Sequence, residues 1–138
     1  MTPTTSPFLE HIHSLLAERG YEVTEPANDR LRIRDVDSGV SLQAVIEGEI
    51  VFFSLPCVTV PREKITAEIM AKLLDASNGI STSSFRVYDV GGGKLTVSLN
   101  NFCKLQDMGA DDEDDVLSCV HFLLVDVMSA RALIGGLA

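Results

Sequence analysis

Basic residues, cysteines and long apolar runs are all scarce in this 138-residue sequence, and each shortage argues against a class of protein. Eleven Lys and Arg stand against twenty Asp and Glu, which gives a formal net charge of -9. A chain this acidic repels phosphate backbones and anionic lipids, so we expect neither nucleic acid nor a membrane as a direct partner. The three cysteines, Cys57, Cys103 and Cys119, show no CxxC spacing, which argues against a disulfide framework or a zinc knuckle and fits a reducing cytoplasm.

The apolar stretches fall short of the roughly 20 residues that a membrane-spanning helix needs. The N-terminal segment does not resemble a signal peptide, because it lacks a basic start and Glu10, His11 and His13 interrupt its apolar residues. We therefore expect a soluble, cytoplasmic protein. Its length and its globular composition predict one domain over residues 1–138.

Hydrophobic periodicity predicts an α+β fold, with an antiparallel sheet flanked by three helices in the order α-β-β-β-α-β-β-α. The first helix follows an N-cap at Ser6 and ends at Gly20. Alternating apolar and polar residues then predict three or four strands between residues 21 and 55. A long apolar helix closes the chain.

The middle of the chain is predicted from its prolines and glycines. The segment from Pro56 to Pro61 is not expected to be an interior strand throughout, because proline supplies no donor to a sheet, and a crossover is expected to begin there. A second helix begins near Arg62 and is closed by Asn78-Gly79. Two alternating segments then flank Gly91–Gly93, which predicts a hairpin tip; the residues that a phosphate-binding loop needs around GGGK are missing.

Five consecutive acids, Asp111 to Asp115, precede the last apolar segment. Acidic side chains in the first turn stabilise the positive end of a helix dipole, whereas consecutive helical residues point about 100° apart and do not converge on one ion. The run therefore predicts the solvated start of a helix, with a cation site as the alternative. His11 and His13 are spaced so that they cannot chelate together, and no catalytic context surrounds His121, so we predict no catalytic residue, metal ligand or cofactor.

The final helix is apolar around more than one stripe, which predicts burial on two sides and self-association. Either the face with Val120, Leu124, Val127 and Met128 or the opposite face with Phe122, Val125 and Leu133 would contribute to self-association. The residues predicted for this dimer or partner interface are Val120, Phe122, Leu124, Val125, Val127, Met128 and Leu133.

Arg30, Arg32 and Arg34 alternate with Leu31 and Ile33 along one predicted strand. The three arginines would therefore share one face. That face either discourages pairing at a sheet edge or forms a docking surface for an acidic peptide.

Several segments carry a resemblance to a known family: RLRIRD, VSLQAVIEGEIVFFSLPCVTV, KITAEIMAKLLDASNGI, SSFRVYD and KLTVSLNNF, followed by the long last helix. Their succession, and above all LLDASNG followed by SFRV and KLTVSL, resembles the YbjN-like proteins, which are similar in fold to the chaperones of type III secretion. The resemblance spans nearly the whole chain. It implies a homodimeric, non-enzymatic domain that binds other proteins as a chaperone or a regulator, with no cofactor.

Three functions are therefore considered. The first is a chaperone-like or regulatory protein-binding homodimer. The second is a small-ligand-binding or sensory domain with a pocket between the sheet and the first helix. The third is an enzyme whose site would be assembled from distant residues such as Asp35, His121 and the acidic run.

Overall fold

A computed structural model describes residues 7–135, so the predicted N-cap at Ser6 lies outside the described residues. The elements are α1 (Pro7–Glu18), β1 (Glu22–Ala27), β2 (Arg30–Arg34), β3 (Ser41–Glu47), β4 (Ile50–Pro61), a 3₁₀ turn (Arg62–Lys64), α2 (Ala67–Leu74), β5 (Ser84–Gly91), β6 (Lys94–Lys104) and α3 (Ala110–Ile134). The strands form a sheet in the order β1-β2-β3-β4-β6-β5. The predicted α+β class is confirmed, with four strands before α2.

The chain forms two compact units. The first contains the residues up to Ser54 together with Phe102–His121, and the second contains Leu55–Asn101 together with the residues from Phe122 onward. The elements β4, β6 and α3 each contribute residues to both units. The expectation of one domain remains a prediction.

The core of the first unit is built from alternating strand positions and one helix face. Leu31 and Ile33 of β2 are fully buried, whereas the arginines between and beside them point away from the core. The helix α1 packs against β1 and β2 and brings Leu9, Ile12 and Leu16 to this core at helical spacing. The α1 helix ends before Gly20, whose positive φ of 93° is a conformation that glycine adopts without strain.

The core of the second unit gathers side chains from strands and from both of its helical segments. Its buried members are Val60, Ile65, Leu73, Leu95, Val97 and Ile134. Phe85 and Leu133 are partly buried against the same cluster. Leu133 therefore has packing partners within its own chain.

The strand β4 continues through Pro56 to Pro61, which corrects the expectation that a crossover begins in this segment. In the first unit, β4 pairs with β3 from Ile50, opposite Glu47, to Ser54, opposite Gln43. Proline supplies no backbone donor, so Pro56 and Pro61 fit in a strand only at positions where no ladder bond from their own nitrogen is needed.

The second helix is shorter than its periodicity predicts. It begins after Thr66, whose side chain accepts a hydrogen bond from the Ile69 backbone N–H at 3.2 Å, and it ends at Leu74. The preceding residues form the 3₁₀ turn, so Ile65 belongs to the core but not to the helix. Beyond the helix, the Asn78 amide donates to the Leu73 carbonyl oxygen at 2.6 Å, and the expected closing turn is present.

The long helix α3 begins at Ala110, so the acids lie in its first turns as predicted. Its buried apolar residues follow one stripe with spacings of three and four residues: Val116, Val120, Leu123, Val127, Ala130 and Ile134. Val125 and Met128 lie outside that stripe and are exposed, so the chain by itself does not bury α3 on two sides.

Among the described residues there is one helix, α3, whose length and apolar composition would be sufficient for it to cross a membrane. The sequence predicts this helix, but not that its length and composition would match those of a membrane-spanning helix, because the longest uninterrupted apolar runs are short. Length and composition do not separate a spanning helix from the core helix of a soluble protein, and the buried stripe of α3 has the spacing of a core helix. The absence of a membrane partner remains a prediction.

Candidate functional site

The outward side of α3 carries two exposed apolar side chains in the second unit. Val125 is 50% exposed and Met128 is 66% exposed. They are three residues apart, and the exposed Ala132 follows four residues later, so the three form a stripe with the spacing of a helix-packing seam. We call Val125, Met128 and Ala132 the outer stripe.

The other residues predicted for the interface lie elsewhere on α3. Val120 and Val127 are buried within the chain, so a partner cannot reach them in this fold. Phe122, Leu124 and Leu133 are partly buried. The sequence alone could not separate these groups, because an apolar helix surface wider than one stripe does not reveal which side meets its own core.

Further apolar side chains are exposed elsewhere in the second unit. Met70 and Leu74 project from α2, with Leu74 78% exposed. Val87 and Val90 are exposed on β5, a strand that pairs with β6 and ends the sheet. Exposed apolar side chains on a terminal strand are typical of surfaces that pair with another chain.

The three arginines of β2 lie on a sheet face and not on a sheet edge. The strand β2 pairs with β1 on one side and with β3 on the other, so protection of an edge does not explain them. Arg34 forms an exposed ion pair with Glu22, with 3.1 Å between guanidinium nitrogen and carboxylate oxygen. Arg32 is exposed opposite Thr24 and Gln43, where it is accessible to a ligand.

The arginine face continues into an aromatic pair that the sequence did not reveal. Arg30 lies opposite Val45, and Val45 lies opposite Phe52 on the next strand, so the three side chains share one face of the sheet. The ring of Phe52 packs against that of Phe102, with 6.1 Å between the centroids. Phe102 is 61% exposed. The signal in the sequence that could have revealed this exposed aromatic residue is its place at an outward-facing position of β6.

One carboxylate of the acidic run is buried. Asp112 is 3% exposed and accepts hydrogen bonds from the backbone N–H groups of Gln106 and Met108, both at 2.7 Å. These bonds hold the turn before α3, in which Met108 has a positive φ of 56°. Asp111, Asp114 and Asp115 are exposed, as expected for a solvated helix start; Asp112 is the exception.

The acid Glu113 faces α1. The His11 imidazole lies 2.8 Å from the Glu113 carboxylate, and the two border a cleft of about 400 Å³ that is also lined by Glu10, Ser14, Leu15 and Glu18. His13 pairs separately with Glu25 at 2.7 Å. Within residues 7–135, no group of three or more His, Cys, Asp or Glu side chains could hold a metal ion.

The glycine-rich loop is a hairpin tip. The strand β5 ends at Gly91 and β6 begins at Lys94, so Gly92 and Gly93 form a two-residue turn. Their φ values of 65° and 74° are both positive. A two-residue hairpin turn with positive φ at both positions favours glycine, which adopts this conformation at little cost. The hairpin prediction is confirmed.

The sequence matches no family model and no curated protein. The structure, in contrast, is similar to the crystal structure of YbjN from E. coli, with a TM-score of 0.67 over 91% of this chain and 93% of that one. The chain has the YbjN fold. The two sequences are 16% identical, so this likeness establishes the fold alone. The predicted YbjN resemblance is thereby confirmed at the level of the fold, although no sequence model detects it.

Proposed function

We propose that this chain is a non-enzymatic protein-binding domain, chaperone-like or regulatory, that acts as a homodimer. The observation that carries the proposal is the exposure of Val125 and Met128 on a helix whose opposite side is buried. Exposed apolar residues at helical spacing are typical of a surface that is covered by another helix. A second copy of α3 offers the same stripe, as a two-fold interface requires.

The energy of such contact is moderate. Burying a fully exposed Val or Met side chain contributes about 1.5–3 kcal/mol, so burying the half or more that is exposed here contributes about 1 kcal/mol each. A two-fold axis doubles every contribution. The outer stripe is then one part of an interface, and the neighbouring apolar side chains of its unit, such as Met70 and Leu74, are available to extend the contact.

A regulatory role would act through protein contacts. The similar E. coli protein is a candidate transcription regulator, which is the reason to consider regulation for this chain. The net charge of -9 disfavours direct binding to a phosphate backbone. We therefore expect any regulation by this domain to operate through a bound protein and not through DNA.

The non-enzymatic part of the proposal is supported by what the acidic side chains do. Asp35 accepts hydrogen bonds from the hydroxyl and the backbone N–H of Ser38 within a turn. Asp112 holds another turn, and Glu113 pairs with His11. These acids have structural partners, and His121 is exposed on α3.

The alternative of a small-ligand-binding domain has less support. It requires a pocket between the sheet and α1, but Leu9, Ile12 and Leu16 on the inner side of α1 are fully buried. The cleft beside α1 lies on the side of Glu10 and Glu113 and is lined largely by charged groups. Such a lining differs from the mostly apolar pockets that bind small molecules.

The test is the solution mass, measured by light scattering coupled to size exclusion over a range of concentrations. We expect about twice 14.9 kDa for the unaltered chain and a shift to monomer for Val125→Glu. Val36→Glu is the matched control, because Val36 is also 50% exposed but lies in a turn of the first unit. A concentration-independent monomer, or a dimer that survives Val125→Glu and Met128→Glu, would contradict the proposal.

A further inference from the structure

Two of the three cysteines meet in the first unit. Cys103 lies in β6 and Cys119 in α3, and their side chains are hydrogen-bonded to each other. Neither sulfur belongs to a disulfide, and both residues are partly accessible to solvent. Their distance along the chain gives no hint of this contact, which depends on how α3 packs on the end of β6.

The strand geometry explains why Cys103 points toward the helix. Its neighbours Phe102 and Lys104 are exposed, and alternate residues of a strand face opposite sides. On α3, Cys119 follows the buried Val116 by three residues and precedes the buried Leu123 by four, so it borders the packed stripe of the helix. The two thiols are thus held together by rigid elements.

The electrostatic surroundings distinguish the two sulfurs. The hydrogen bond from Cys103 stabilises the Cys119 thiolate and lowers the pKa of Cys119, whereas burial and the Asp115 carboxylate oppose it with smaller effects. The same bond, burial and the nearby Asp115 and Asp112 carboxylates raise the pKa of Cys103. Cys119 is therefore the more readily ionised sulfur, and Cys103 keeps its proton as the donor. A low-pKa thiol beside a second thiol is the arrangement found in redox-sensitive cysteine pairs.

We propose that Cys103 and Cys119 form a redox site at which a peroxide converts the two thiols into a reversible intramolecular disulfide. The Cys119 thiolate attacks one peroxide oxygen and the O–O bond breaks. The leaving group is hydroxide from hydrogen peroxide or an alkoxide from an organic peroxide, and it takes a proton from solvent, which replaces the one released by Cys119, to become water or an alcohol. The sulfenic acid left on Cys119 is attacked by the sulfur of Cys103. The S–S bond forms, the S–O bond breaks, and the leaving hydroxide takes the Cys103 proton as water. Two electrons pass from the thiols to the peroxide.

The site requires no partner, so it is independent of the proposed dimer. The bond would connect the end of β6 to the first half of α3. Closing this short loop restricts the unfolded chain, and we expect oxidation to raise Tm by roughly 5–10 °C. A thiol reductant restores the original state.

The experiment uses the full chain and hydrogen peroxide at one equivalent, followed by thiol counting and mass spectrometry of a digest without reductant. We expect two of the three thiols to disappear, the mass to fall by two hydrogens, and the peptides of Cys103 and Cys119 to be joined. Dithiothreitol should reverse all three changes. Thiol counting and mass spectrometry are done on the unaltered chain, so the result does not depend on whether a cysteine variant folds.

Variants identify the roles of the sulfurs. Cys57→Ser is the matched control and should oxidise like the unaltered chain, because Cys57 lies in the second unit and donates to the Leu55 carbonyl oxygen. In Cys103→Ser, a sulfenic acid should persist on Cys119 and be trapped by dimedone. Retention of all three thiols in the unaltered chain, a bond to Cys57, or a bond between two chains would overturn the proposal.

Discussion

Ser81 donates two hydrogen bonds to the Asp126 carboxylate, one from its backbone N–H at 3.1 Å and one from its hydroxyl at 3.0 Å. Asp126 is 2% exposed in the apolar part of α3, where an unpaired polar group would be costly. The contact joins α3 to the segment between α2 and β5. Nearby, a Cβ at Gly79 would lie 3.7 Å from Ser129, so this segment runs close to the helix. Asp126 is therefore a structural acid and not an isolated charge in the helix.

Asp126→Ala removes the acceptor and leaves the Ser81 donors without it. We expect the free energy of unfolding to fall by about 1–3 kcal/mol, measured by urea denaturation at neutral pH. Ser81→Ala removes only the hydroxyl and should cost about 0.5–1.5 kcal/mol. If the two residues are coupled, the double variant should lose less stability than the sum of the two single losses; a loss equal to that sum would show that they are not coupled.

Asp112 and Asp114 provide a matched pair within the acidic run. Asp112→Ala deprives the backbone N–H groups of Gln106 and Met108 of their acceptor, so we expect a loss of about 1–3 kcal/mol. Asp114→Ala, at an exposed position, should change stability by less than about 0.5 kcal/mol. Equal losses in the two variants would contradict the structural role of Asp112.

Tyr21 makes stability depend on pH in the alkaline range. Burial, and then the nearby Asp35 carboxylate, raise the pKa of Tyr21 above its ordinary value. The folded chain thus holds the phenolic proton more tightly than the unfolded chain does, so the stabilisation is complete below about pH 10 and is lost as pH rises through the raised pKa. We expect Tyr21→Phe to lessen the fall in unfolding free energy above that pH, as measured by urea denaturation. Parallel pH profiles for the two proteins would disprove this.

The arginine face remains a predicted docking surface for acidic peptides. A fluorescein-labelled peptide with several Asp and Glu residues around one aromatic residue is a suitable probe, because Arg32 lies on the face that continues to Phe52 and Phe102. We expect Arg32→Glu to raise Kd by about tenfold or more in fluorescence anisotropy, since one charged hydrogen bond contributes about 1.5–3 kcal/mol. Arg86→Glu, an exposed arginine on β5, is the control. Equal Kd values for the two variants would remove the assignment.

The sequence alone predicted the local features that depend on a single residue type or on the periodicity of one element. Gly20 ends α1, Gly92 and Gly93 form the hairpin tip, and the β2 arginines alternate with buried Leu31 and Ile33. Side-chain direction repeats every 3.6 residues in a helix and every two in a strand, so the faces of these elements follow from spacing. The α+β class follows from the succession of such elements.

Which residues meet was decided by the tertiary structure. β2 lies between two strands, β4 continues through Pro56 to Pro61, and the Asp112 carboxylate accepts hydrogen bonds from the segment before its own helix. The pairs Phe52 with Phe102 and Cys103 with Cys119 are distant in the sequence and adjacent only after folding. Periodicity specifies the direction of a side chain along its own element. Strand pairing and helix packing depend on contacts between elements, and these determine which of the outward residues remain exposed.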